Sequence, residues 1–174
     1  MEEQKEGFSR SLTLGEKKLA SSVFGETISY DSVLIHCDSS LPFGLQNEEY
    51  VMTPNGEIYY RKMLYRADFS NEPPPTKHVF IHEMTHVLQY QRGMWVRFKG
   101  LGSWAASYKY RLDKLRLADY PMEQQASIVA DYFYLKTYGE NEFFKLAGRE
   151  LIGVIDKNTL AKYEPIIRSA GLKI

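Results

Sequence analysis

His82-Glu83-Met84-Thr85-His86 places two imidazoles four residues apart with a carboxylate between them in sequence. On a helix, residues four apart stack on one face, so both imidazoles can reach a single zinc ion while the glutamate lies beside them. Three protein ligands around tetrahedral zinc leave a position for water, whose pKa the ion lowers, and the glutamate can take that water's proton as it attacks a polarised carbonyl. The surrounding residues agree with a helix. Val79, Phe80, Ile81, Met84, Val87 and Leu88 fill a broad apolar arc, with His82, His86 and Gln89 clustered on the far side. The plain alternative is a pair of core histidines satisfied by hydrogen bonds.

A third ligand must come from elsewhere in the chain. Met122-Glu123-Gln124-Gln125-Ala126-Ser127 opens a second helical pattern, and Glu123 lies on the margin of its apolar stripe of Met122, Ala126, Val129, Ala130 and Phe133. Glu123 is the preferred third ligand. Asp131, about 80° round the helix and two turns on, ranks second. The competing reading of Glu123 is a charge stabilised by a helix N-terminus. His78 completes a row with His82 and His86, but eight residues of helix separate His78 from His86 by roughly 12 Å, too far to share one ion. It reads as an exposed first-turn residue, with a place at the cleft mouth as the alternative. His36 and Cys37, in an apolar run, read as packed core residues. Among thirteen tyrosines, Tyr120 is the candidate donor to an oxyanion.

The elements that carry these residues are readable from their boundaries. Residues 1–10 look like a flexible arm. Thr13 and Glu16 form a capping box for a helix through Phe24 that ends at Gly25. Ser32 to Cys37 suits a buried strand. Residues 50–60 surround Pro54-Asn55-Gly56 and read as a hairpin whose exposed edge would align an extended peptide beside the metal. Pro73, Pro74 and Pro75 act as a stiff connector before a helix from about Thr76 to Gly93. A short helix is expected around Ser103–Leu117, a longer one from Pro121 to Gly139, and a last one from Asn158 to Ala170 that Pro165 bends or splits. The sum is a single α+β domain over residues 1–174, predominantly helical, with a small antiparallel sheet.

Composition narrows the partners. At 174 residues, with 44% hydrophobic and 25% charged residues, the chain can bury a core as one ordinary globular domain. Lysine plus arginine equals aspartate plus glutamate at 22 each, so no global field favours nucleic acid or an anionic membrane. The acidic, polar start carries no signal sequence, and no apolar run is long enough to span a bilayer. Synthesis in a reducing cytoplasm fits the lone cysteine.

HEMTHVLQYQRG followed by YPMEQQASIVADYF resembles the zinc metallopeptidase domains of bacterial Vgr-related proteins, the spike components of type VI secretion, over residues 76–134. The resemblance implies His82, His86 and Glu123 as zinc ligands, Glu83 as base and a zincin-like, gluzincin-type fold. It also implies export on a secretion spike as an effector toxin, a spike protein and an immunity protein as partners, and a peptide or protein substrate. The third-ligand helix of that wider group often reads E-x-x-x-D, whereas Ser127 stands four after Glu123 here. Two rival functions remain: a non-catalytic zinc-binding interaction module of the spike, and a zinc amidase acting on cell-wall peptides.

Overall fold

The computed structural model describes residues 5–94 and 107–173. Its first element is a strand, β1 (Phe8–Ser11), followed by helix α1 (Leu14–Phe24), strand β2 (Leu34–Cys37), strand β3 (Ile58–Tyr60) and helices α2 (Pro74–Gln91), α3 (Met122–Lys145) and α4 (Thr159–Ser169). The α+β class expected from the sequence is the class observed. The flexible arm is not observed at its inner end: Phe8 to Ser11 pair antiparallel with β2, Phe8 opposite Cys37 and Ser11 opposite Leu34.

Glu16 explains why that strand is held. The capping box forms as expected, Thr13 Oγ1 accepting from the Glu16 N–H at 3.0 Å and Glu16 accepting from the Thr13 N–H at 2.9 Å. The same carboxylate is wholly buried and also accepts two guanidinium bonds from Arg10 at 2.8 Å and the Phe69 N–H at 2.9 Å. One side chain thus fastens β1 and the turn before α2 to the start of α1. A charge taken out of water persists only when its lone pairs are met in this way.

The sheet is mixed rather than antiparallel, because β3 runs parallel to β2, with Ile35 opposite Ile58 and Cys37 opposite Tyr60. The expected hairpin survives as one antiparallel bridge, Met52 to Tyr59, around the Pro54-Asn55-Gly56 turn. Gly56 has φ 78° and a Cβ there would lie 2.4 Å from the Tyr90 ring, so only glycine lets this turn dock on α2.

Prolines open α2 instead of preceding it. Pro74 and Pro75 occupy its first positions, where a missing N–H costs no helical bond. Its end matches the sequence: Gly93 has φ 75°, its N–H reaches Tyr90 O, and the Met94 N–H reaches Gln89 O. Helix α3 breaks at Gly139 (φ 83°) and resumes to Lys145, and α4 runs through Pro165 without splitting. Residues 107–116 form no helix, and the remainder of the segment expected to be helical, residues 103–106, lies outside the described residues.

Helices α2 and α3 form the centre. Phe80, Ile81, Met84 and Val87 of α2 and Ile128, Val129, Ala130 and Phe133 of α3 join one core with the sheet residues Ile35 and Ile58 and with Tyr163 and Ile167 of α4. Val79, placed on the apolar arc from the sequence, is partly exposed at 39%. No helix among the described residues is long and apolar enough to cross a membrane.

Candidate metal centre

The two helices run antiparallel, since His86 meets Glu123 while His78, two turns earlier on α2, meets Asp131, two turns later on α3. This packing brings three expected residues together. Nε2 of His82 lies 3.4 Å and Nε2 of His86 3.1 Å from the same oxygen, Oε2 of Glu123. One ligand atom from each residue falls within 4.8 Å of the others. Ligand atoms held at about 2.0–2.2 Å from a tetrahedral ion stand roughly 3.4 Å apart, so the two spacings to Glu123 are of the size that zinc requires.

The tautomer of His86 is set by Gln89, one turn further along the same face. Nδ1 of His86 lies 2.7 Å from Gln89 Oε1, and the Gln89 amide N–H group donates to Met122 O at 3.0 Å and to Gln125 Oε1 at 3.2 Å. With its nitrogen committed as a donor, the amide presents oxygen to the imidazole, so Nδ1 must carry the proton. In the neutral ring Nε2 is then the nitrogen without a proton, and it faces the point shared with His82 and Glu123.

The electrostatics of the cluster follow from this crowding. Burial opposes the charge on His86, but the hydrogen bond and charge of Glu123 outweigh it and raise the imidazole to about 9. Burial likewise works against the Glu123 charge, and the hydrogen bonds from His82 and His86 overcome it, holding the carboxyl well below the usual carboxylate range.

Glu83 is buried beside the cluster, with Oε2 accepting from the Thr53 hydroxyl at 2.6 Å. Thr53 comes from the segment that closes on β3 through the Met52–Tyr59 bridge, so the 50–60 region, expected as a substrate-aligning hairpin, here orients the candidate base. Nothing in the sequence pairs Thr53 with Glu83. Gln89 did carry a signal, its place on the histidine face, though no role attached to it.

Other expectations are corrected. His78 is not an exposed first-turn residue: it is buried, and its Nε2–H donates to Asp131 Oδ1 at 2.8 Å. Asp131 is thereby removed as a ligand, because its Oδ2 also accepts from Tyr110 OH at 2.6 Å and from the Glu150 N–H at 3.0 Å. Tyr163 adds a very short hydrogen bond to Tyr110 OH. His36 is partly buried, bonded to Glu57 at 2.7 Å and stacked on Tyr59, and stays out of the cluster as expected. Cys37 is free and buried, as expected. The Tyr120 hydroxyl accepts from the Lys114 N–H at 3.0 Å and closes a local loop. The tyrosine that lies against the cluster is Tyr108, whose ring centroid is 6.0 Å from that of His82. Burial, then the charges of Glu123 and Glu83, push its phenol up to about 12.

No family model matches the chain. It is 40% identical over 157 residues to the type VI secretion system spike protein VgrG2b of Pseudomonas aeruginosa. The matched region is 86% of this chain and 15% of the spike protein, so the chain spans a small part of that relative's length. Among solved structures, the effector domain of Pseudomonas aeruginosa VgrG2b superposes with a TM-score of 0.64 at 36% identity, covering 87% of this chain and 89% of that one.

Proposed function

The chain belongs to the family of the VgrG2b effector domain, and from that premise we propose that it is a type VI secretion effector that hydrolyses peptide bonds at a single zinc ion held by His82, His86 and Glu123. The observation that carries this reading is the convergence of two imidazole nitrogens on one carboxylate oxygen, 3.4 and 3.1 Å away, with a second carboxylate, Glu83, held beside them by Thr53. A zinc ion bound there would polarise the scissile carbonyl and acidify water.

The protein's own groups then divide the work. Gln89 keeps the His86 proton on Nδ1 and so keeps Nε2 available. Thr53 occupies one oxygen of Glu83 and leaves Oε1 to take a proton from water as the water oxygen bonds to the carbonyl carbon. When the C–N bond breaks, its electron pair goes to nitrogen, which receives that proton from Glu83. A base beside the ligands distinguishes this arrangement from a structural zinc site, which is usually closed by a fourth protein ligand.

Association with a secretion spike, export by that route and neutralisation by an immunity protein in the producing cell belong to the same proposal. The spike and the export route rest on the likeness to VgrG2b, and the immunity protein on the resemblance read from the sequence.

The test is metal content and hydrolysis measured together on wild type, His86→Ala and Glu83→Gln, with unfolded casein as substrate. Wild type should hold about one zinc per chain and His86→Ala almost none. Glu83→Gln should keep its zinc yet lose roughly 10²–10⁴-fold in rate. A Glu83→Gln protein as active as wild type would rule out the mechanism. Zinc without hydrolysis of casein or peptidoglycan would move the non-catalytic module to first place, and cleavage of peptidoglycan alone would identify an amidase.

A further inference from the structure

Hydrolysis at this site leaves one requirement unmet by the four residues above. As water adds, the carbonyl oxygen takes up the electron pair of the C=O bond, and a donor fixed beside it lowers the barrier. Such a group must carry a proton at neutral pH, be reachable by substrate and be held against the cluster by something other than substrate.

Tyr108 meets each condition. It is 39% exposed, its ring lies 6.0 Å from the His82 ring at a tilt of 40°, and a phenol keeps its proton at neutral pH. The chain around it is fastened at successive residues. Lys109 O accepts from Gln124 Nε2 at 2.9 Å, and Gln124 is the neighbour of Glu123. Tyr110 bridges Leu151, its N–H bonded to Glu150 O at 3.1 Å and its carbonyl to the Ile152 N–H at 2.8 Å, while its hydroxyl donates to Asp131.

The spacing along α2 fits this placement. One helical turn, about 5.4 Å, separates the level of His78 from that of His82. Two residues of strand-like chain advance about 6.6 Å. Tyr110 meets Asp131, the partner of His78, and Tyr108 meets His82, so the segment passes alongside α2 with its anchor at one level and a half-exposed phenol at the next.

We propose that Tyr108 is a catalytic residue whose hydroxyl donates a hydrogen bond to the oxyanion formed when water adds to the scissile carbonyl. This rests on the hydrolytic reading above. The water oxygen bonds to the carbonyl carbon, the π pair moves to the carbonyl oxygen, and the water's proton goes to Glu83. Collapse restores the C=O bond, and nitrogen leaves with its electron pair and that proton. Tyr108 keeps its own proton throughout.

The experiment compares zinc-loaded wild type, Tyr108→Phe, Tyr50→Phe and Glu83→Gln for kcat, KM, zinc content and affinity for a dipeptidyl phosphonate, a stable tetrahedral mimic. Tyr108→Phe retains the ring and should retain zinc and KM, lose roughly 10²–10³-fold in kcat and bind the phosphonate at least about ten-fold more weakly. Tyr50 is the competing phenol, 54% exposed and three residues before Thr53, the partner of Glu83. A loss confined to Tyr50→Phe would overturn the assignment. If wild type cleaves, Glu83→Gln does not, and Tyr108→Phe matches wild type in kcat and phosphonate affinity, the role of Tyr108 is wrong while the hydrolytic reading stands. If wild type cleaves nothing, both fall.

Discussion

Along the packed faces of α2 and α3 the same pairing occurs twice, a histidine of α2 against a carboxylate of α3, and the two pairs differ in what else reaches the carboxylate. Asp131 accepts from His78, Tyr110 and the Glu150 N–H, so both its oxygens are met and nothing remains to be bound. Glu123 instead presents one oxygen to two ring nitrogens, and Gln89 turns one of those rings so that its Nε2 faces the carboxylate. The first pair is closed by donors. The second gathers two ring nitrogens on one carboxylate oxygen and, among the described residues, leaves the other oxygen of Glu123 without a hydrogen bond of this kind. A buried histidine–carboxylate contact therefore does not by itself mark a binding site; the capacity left over after its neighbours are counted does.

The comparison is broken most directly at Asp131. Asp131→Ala would leave an imidazole, a phenol and a backbone N–H buried without their acceptor, a loss on the order of 3–5 kcal/mol. Chemical denaturation of the zinc-free proteins should show Asp131→Ala to be destabilised more than Glu123→Ala, while zinc titration of the folded proteins should show the reverse order of damage. If Glu123→Ala proved the more destabilising and still bound zinc, the division into a closed pair and an open one would be wrong.

A smaller effect is expected from Gln89, which belongs to the open pair without being one of its three donors. Gln89→Leu keeps the bulk but removes the acceptor that holds the proton on Nδ1 of His86, and zinc affinity should fall roughly 10–100-fold. Competition with a chelating dye would measure it. An unchanged affinity would mean that the imidazole finds the same tautomer unaided.

How much of this could be read in the sequence follows from how each contact is encoded. His82, His86, Glu83 and Gln89 share one helix, and Thr13 and Glu16 one helix start, so spacing alone relates them. Glu123 was reachable because it opens a second helix with a clear apolar stripe. The His78–Asp131 contact was not, since it depends on the register of one helix against another across 53 residues, and periodicity describes each helix alone. Asp131 accordingly looked like a spare ligand and His78 like a surface residue. The Asn-Gly turn was legible, but not the parallel pairing of β3 with β2, and on the other edge of β3 only the Met52–Tyr59 bridge forms among the described residues. Tyr108 follows no periodic pattern and reaches the cluster only because Tyr110 and Lys109 are anchored elsewhere.

The smallest effect is expected at the residue between the two regions. Ser127 lies four residues after Glu123 and four before Asp131, and its buried hydroxyl has no hydrogen-bond partner among the described residues. A buried hydroxyl left unpaired contributes nothing favourable, and alanine is the better helix former, so Ser127→Ala should change stability by less than about 1 kcal/mol, with the sign toward stabilisation. Zinc affinity should stay within about two-fold, because no bond from Ser127 orients a ligand in the way Gln89 orients His86. Thermal unfolding and the same dye competition would decide it. A ten-fold loss of affinity would place Ser127 among the groups that support the metal, and the boundary between the closed pair and the open one would then fall a full helical turn closer to Asp131.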